Sequence, residues 1–191
     1  MKLGNQEIRD IKLGSGQIHK VMLDGSEVWS FQIDDDLYLY VGGALTQTVR
    51  KYLKSDMTYI GETADYGGNI RSITIDDTHI YVGGETTNTV RKYLKSDLTY
   101  IGETANYGGA IYSITIDDTH IYVGGVTTRT VRKYLKSDLT YVGETANYSG
   151  SIFSITIDST HIYVGGSLTR KVRKYLKSDM TYIGETADYG G

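Results

Sequence analysis

Apolar and polar residues alternate along this chain in short runs, and the runs return at a fixed interval. In residues 112–116, Ile114 and Ile116 alternate with Ser113 and Thr115, the period of two that a half-buried strand shows. Asp117-Asp118-Thr119 follows, a turn signal because short Asp side chains bond nearby backbone amides. Residues 120–123, 130–136 and 140–145 read as three more strands, separated by Gly124-Gly125 and Ser137-Asp138. Asn147-Tyr148-Ser149-Gly150 returns the chain to the next unit. No window keeps a helical period over the roughly 10–12 residues that a helix requires.

The interval is 41 residues. Tyr-Val-Gly-Gly begins at Tyr40, Tyr81, Tyr122 and Tyr163, and Val-Arg-Lys-Tyr-Leu-Lys-Ser-Asp begins at Val49, Val90, Val131 and Val172. Gly-Glu-Thr-Ala begins at Gly61, Gly102, Gly143 and Gly184. Residues 72–112 and 113–153 differ at six positions: Glu85/Val126, Asn88/Arg129, Ile101/Val142, Gly108/Ser149, Ala110/Ser151 and Tyr112/Phe153. In the first copy Phe31, Gln32 and Ile33 stand where Ile73, Thr74 and Ile75 stand in the second, with one extra residue in the Asp34-Asp35-Asp36-Leu37 turn, which a bulge or a longer turn would absorb.

Four short strands in about 40–45 residues is the spacing of a propeller blade. The pattern predicts an all-β chain, a β-propeller of four four-stranded repeats at about 31–71, 72–112, 113–153 and 154–191. The unit of residues 72–84 followed by Thr-Val-Arg-Lys-Tyr resembles blades of the broad propeller group with quinoprotein-like, NHL-like and WD-like repeats, without the Trp-Asp dipeptide of the last. That likeness implies architecture and no activity. Repeats of this kind bury their faces only against neighbours. Four copies therefore either close a small ring, pair with a second chain in a larger one, or form part of a longer array, since residue 191 falls at a unit boundary.

Residues 1–30 carry a shorter repeat. Leu3, Leu13 and Leu23 are ten apart, as are Ile8, Ile18 and Val28, with turn signals at Gly14-Ser15-Gly16 and Asp24-Gly25-Ser26. The segment reads as a three-stranded meander, too small to be stable alone. Residues 11–29 carry Leu-Gly-Ser, an Ile, Lys-Val, a Leu and Val-Trp. They resemble the N-terminal segment of phage and prophage virion proteins, with Met22 in place of the usual aromatic and Asp24-Gly25 in place of the plain Gly. The resemblance implies attachment to other virion proteins of a tail or surface appendage, through Ile18, Val21, Val28 and Trp29. The alternative for Trp29 is a core position where this module meets the repeats, because large aromatics dominate core packing.

Composition adds exclusions. Net charge is −3, which points to no nucleic-acid or anionic-membrane partner. There is no Cys, so disulfides and thiolate metal sites are out. No apolar run approaches the roughly 20 residues of a membrane helix, and residues 1–10 show no signal-peptide apolar core. An apolar fraction of 39% is low, and 18 Tyr partly make it up, since each brings a large ring and a polar tip.

Candidate chemistry follows from where the copies differ. In a four-stranded antiparallel blade the first and third turns share one rim, and the second turn and the connection to the next blade share the other. Most differences fall on the second rim, which predicts a ligand-binding surface at Gln47, Arg71, Glu85, Asn88, Tyr112, Arg129, Phe153 and Arg170, since scaffold-held loops carry function. His79, His120 and His161 recur once per unit without local ligand spacing. The Asp turns lack a calcium-loop spacing, and the Arg-Lys-Tyr-Leu-Lys strands read as a solvated outer face or a cross-strand charge pair. Catalysis needs unlike groups in assigned roles at one place, whereas a near-identical repeat suits multivalent binding.

The expectation is a non-enzymatic virion protein without cofactor or metal, made in the bacterial host cytoplasm and homo-oligomeric. Its propeller would bind a host-surface glycan or protein. The alternative is a cellular lectin-like or protein-interaction propeller with no virion role.

Overall fold

The computed structural model describes residues 2–3, 6–9, 21–23, 26–29, 37–43 and 47–189, and for the stretches before residue 37 it describes backbone pairing alone. No described residue is helical. The chain divides into two compact units: residues 1–39 with 53–58, and residues 40–52 with 59–191.

The N-terminal sheet has four strands in chain order, β1 (Lys2–Leu3), β2 (Gln6–Arg9), β3 (Val21–Leu23) and β4 (Ser26–Trp29). A three-stranded meander was expected. The additional strand is β1, whose Lys2 and Leu3 pair with Glu7 and Gln6. Gly4-Asn5, between them in sequence, is a pair that favours tight hairpins. Ile18 and the Gly14-Ser15-Gly16 turn lie outside the described residues, as do the side chains of Val21, Val28 and Trp29, whose backbone lies on β3 and β4.

The repeats form successive antiparallel sheets. The first holds β5 (Tyr38–Val41), β6 (Arg50–Leu53) and β7 (Tyr59–Glu62); its expected opening strand at Phe31–Ile33 lies outside the described residues. The second holds β8 (Ile70–Ile75), β9 (His79–Gly84), β10 (Arg91–Leu94) and β11 (Tyr100–Glu103). The third holds β12 (Ile111–Ile116), β13 (His120–Gly125), β14 (Arg132–Leu135) and β15 (Tyr141–Glu144). The fourth holds β16 (Ile152–Ile157), β17 (His161–Gly166), β18 (Arg173–Leu176) and β19 (Tyr182–Glu185). Strand β12 packs beside β8 and β16, and β9 and β13 face β12 and β16. This is a propeller-like stack of meanders whose sheets do not close on themselves.

A register problem in the opening strands of the second, third and fourth sheets shapes everything outward of them. Ile111 and Ile114 are both buried, yet residues three apart cannot share a face at a period of two. A β-bulge resolves the conflict: Ile111 pairs with Gly125 and Ser113 with Gly124, leaving Tyr112 unpaired. The same shift leaves Arg71 unpaired in β8 and Phe153 in β16.

The core lies between sheets. The first junction gathers Val49, Tyr66, Ile70, Ile80, Val82 and Tyr93. The second gathers Tyr81 and Val90 with Ile111, Ile114 and Leu139, and the third Tyr122 and Val131 with Ile152, Ile155 and Met180. Two isoleucines of each incoming sheet sit over a glycine of the sheet before. A Cβ on Gly83 would lie 2.7 Å from Ile111 Cγ2, and one on Gly124 would lie 2.6 Å from Ile152 Cγ2. Ser72 and Ser113 accept the amides of Ile114 and Ile155 from the next sheet, each at 3.0 Å. The connector tyrosines complete the seam. Tyr66, Tyr107 and Tyr148 donate to the carbonyls of Thr89, Thr130 and Lys171 at 2.6–2.8 Å, beneath the guanidinium groups of Arg91, Arg132 and Arg173.

Gly124 and Gly165 hold the same place in successive sheets, but a Cβ on Gly165 meets nothing within 4 Å among the described residues. Urea unfolding of Gly124→Val is expected to show a loss of about 1–3 kcal/mol from overpacking. Gly165→Val is expected to stay within about 0.5 kcal/mol of the parent chain.

Candidate functional site

The rim expected to bind ligand separates into two kinds of position. The bulges release Arg71, Tyr112 and Phe153 from strand pairing and put them at equivalent places on consecutive sheets. They form a row: the Arg71 guanidinium lies 5.8 Å from the Tyr112 ring centre, and the Tyr112 and Phe153 rings meet edge to face at 5.4 Å. Glu85, from the loop after β9, fixes one end. It pairs with Arg71 at 2.8 Å, accepts from the Asn69 amide at 2.8 Å and accepts from the Tyr112 hydroxyl at 3.2 Å. The Asn69 and Arg71 hydrogen bonds hold the Glu85 carboxyl below its ordinary range. Phe153 is 51% exposed. The cluster occurs once, because Val126 and Ser167 replace Glu85 in later copies and Ala110 and Ser151 replace Asn69.

Gln47, Asn88, Arg129 and Arg170 are different. Each has a positive φ, between 48° and 55°, and each lends its carbonyl to the amide of a connector tyrosine, Tyr66, Tyr107, Tyr148 or Tyr189. Only the backbone of these positions is used by the fold, and none is bonded to the Arg71–Glu85–Tyr112–Phe153 cluster among the described residues. Their variation follows from that: the turn demands a left-handed backbone, which Asn tolerates better than most residues, and leaves the side chain undirected.

The opposite rim holds a repeated polar clasp. Asp76 Oδ1 accepts the amides of Thr78 at 2.9 Å and His79 at 2.7 Å, the turn-forming role expected for it. Its Oδ2 accepts the Tyr81 hydroxyl at 2.9 Å and meets Lys136 of the next sheet at 2.6 Å. Lys92 returns the link, donating to the Lys136 carbonyl at 2.7 Å. The next junction repeats this with Asp117, Tyr122, Lys177 and Lys133. An open cavity of about 630 Å³ lies here, lined by Asp76, His79, Tyr81, Lys92, Thr119 and Lys136 among others.

Burial pushes the Asp76 and Asp117 carboxyls up. The lysine bridge and the backbone amides more than offset it, holding both well below the usual carboxylate range. Burial and the Asp76 carboxylate raise the Tyr81 phenol. Burial, with Lys92 nearby, lowers His79.

The clasp corrects the reading of the Arg-Lys-Tyr-Leu-Lys strands as a solvated face. The arginines do make cross-strand pairs, Arg91 with Glu103 and Arg132 with Glu144, each at 2.9 Å. The lysines beside them, Lys51, Lys92 and Lys133, are buried and reach a carbonyl of the following sheet. Alternation along the strand hides this, because a lysine's long stem lets a charged head cross an apolar seam. The one sequence signal was the invariance of both Lys and Asp at a constant offset.

No protein-family model and no curated protein matches the chain.

The depressed carboxylates set the sign of the pH response. A group with a lowered folded-state pKa contributes stability above its unfolded value, near 4, and loses it as pH falls. The thermal unfolding temperature is therefore expected to fall steadily below about pH 4. Asp117→Asn is expected to cost about 1–3 kcal/mol at pH 7, by removing the carboxylate that Lys177 pairs with, and to flatten the acid dependence.

Proposed function

We propose that this chain is a non-enzymatic structural protein of a bacteriophage virion, a tail, appendage or surface component, and that its rim cluster recognises carbohydrate on the host surface. The observation that carries the binding half is the Arg71–Glu85–Tyr112–Phe153 cluster. It is assembled from positions that differ between copies, on a framework whose other positions are nearly constant. Two aromatic rings supply an apolar shelf, and a fixed ion pair with the Asn69 amide supplies directional polar groups. A shelf with a few convergent polar groups suits a small ligand with one apolar face and many hydroxyls. Aromatic bodies give such contact area at little conformational cost.

The virion half rests on residues 11–29 and their likeness to the N-terminal segment of phage virion proteins. In this reading the N-terminal sheet joins the protein to other virion components, and the repeats face outward. Nearly identical copies offer the same groups at each sheet, which suits scaffolding and avidity and supplies no assigned acid, base and nucleophile at one point.

Glycan-array and host-cell binding test the proposal. Tyr112→Ala with Phe153→Ala is expected to weaken binding by tenfold or more, while Asn88→Ala and Arg129→Ala leave it within twofold. Equal binding by all the folded variants would remove the rim from the account. Absence of the chain from purified particles would remove the virion role and favour a cellular lectin-like protein.

A further inference from the structure

The polar clasp between the second and third sheets borders a cavity, and the groups around that cavity are sorted by depth. Its volume of about 630 Å³ falls within the roughly 300–1,000 Å³ of small-ligand pockets. It lies on the rim opposite the Arg71–Glu85–Tyr112–Phe153 cluster. At its floor are Tyr81, fully buried, and Lys92, 6% exposed. Half-buried His79 and Leu135 stand on its walls. At its mouth are two exposed acids, Asp77 from the turn before β9 and Asp118 from the turn before β13.

The deepest polar group has unused donors. Among the described residues the Lys92 ammonium makes one hydrogen bond, to the Lys136 carbonyl at 2.7 Å, of the three it can donate. The adjacent Asp76 carboxylate pairs instead with Lys136, at 2.6 Å. A buried charge short of partners is costly, and an acceptor that reaches it is bound the more firmly for that. The outer groups have unused acceptors. Asp76 and Asp117 spend both carboxylate oxygens on the fold. Asp77 and Asp118, one position later, make no hydrogen bond or ion pair through their carboxylates among the described residues.

Charge then selects the ligand. An anion drawn to Lys92 would face Asp77 and Asp118 at the mouth, and a cation drawn to those acids would face Lys92. His79, lowered by burial and by Lys92, adds no charge at neutral pH. A neutral body with several hydroxyls meets neither penalty, since a hydroxyl can accept from an ammonium and donate to a carboxylate. Leu135 and the Tyr81 ring supply the apolar contact that the C–H face of a sugar ring needs.

We propose that this cavity is a second binding site, for a neutral hexose, with Lys92 donating to one sugar hydroxyl and Asp77 and Asp118 accepting from others. The site shares no residue with the rim cluster and does not depend on it. The third junction repeats the floor with Tyr122 and Lys133 but carries Ser159 where Asp118 stands, so it lacks one of the two outer carboxylates.

The whole chain, titrated with methyl glucoside, methyl galactoside and methyl mannoside at millimolar concentrations, is expected to show a shift of the His79 imidazole proton resonances with at least one of them. The uronate and the amino sugar of the same configuration are expected to bind more weakly. Binding to the variants is read from saturation transfer to the sugar. His79→Tyr, which copies Tyr38 of the first repeat, crowds the cavity with a larger ring and is expected to weaken binding by tenfold or more. Asp118→Ser, which copies Ser159, removes one acceptor and is expected to weaken it by about three- to tenfold. Both variants are expected to keep the circular dichroism spectrum of the parent chain. Tyr112→Ala with Phe153→Ala is expected to leave this binding within twofold, which separates the cavity from the rim. An unmoved His79 resonance with all three sugars overturns the proposal. So does tighter binding of the uronate or the amino sugar, undiminished binding by either folded cavity variant, or loss of binding in the rim pair.

Discussion

At each internal junction of the repeat array, one sheet covers a face of the sheet before it. The isoleucines of one sheet seat on the glycine and tyrosine of the sheet before, and the rest of the structure follows from that seat. It explains Gly124 in strand β13, where a side chain would strike Ile152 of the next sheet. It explains the bulge, since Ile111 and Ile114 reach the same face only if Tyr112 is left out of register. It also explains leucines in a backbone conformation that leucine disfavours. Leu98 and Leu139 sit at φ 65°, an uncommon state for a bulky residue, because that turn aims the side chain into the preceding sheet. The lost backbone energy is recovered in burying the side chain, worth about 1.5–3 kcal/mol for a residue of this size.

A polar layer surrounds the apolar seat and fixes its register. Serine hydroxyls catch amides near the opening strands, lysines cross between turns on one rim, and tyrosine hydroxyls catch carbonyls on the other. Hydrophobic burial is non-directional and would allow neighbouring sheets to slide. Asp76, bonded at once to two amides, a phenol and a lysine from the next sheet, tolerates only one alignment. Leaving such buried groups unpaired is what makes slippage costly.

The architecture was legible because its signals are local and recur. A period of two, Asp and Gly turns and a step of 41 residues set out the sheets before any coordinates. Strand ends moved by only a residue or two; the second strand of the third sheet, for example, runs on through Gly124 and Gly125. What stayed hidden is whatever depends on a residue's partner rather than its neighbours in sequence. Lys92 reads as a surface cation until a second sheet supplies the carbonyl it reaches. Strand β1 is two residues long, too short to show a period. At the rim, variation between copies marked eight positions but did not say which act through their side chains. Arg71, Glu85, Tyr112 and Phe153 meet because bulges in three consecutive sheets are in line. Gln47, Asn88, Arg129 and Arg170 vary because only their carbonyls matter.

The bulge has a consequence for how such a chain changes over generations. In the second, third and fourth copies one residue is excused from both the ladder and the seam, so its identity can drift without disturbing either. The second and third junctions are built from the same parts, so gain or loss of such a 41-residue segment leaves the remaining joints chemically alike. Duplication and point substitution therefore act on separate properties: the first alters how many sheets the array contains, and the second repaints a single line of side chains along its edge.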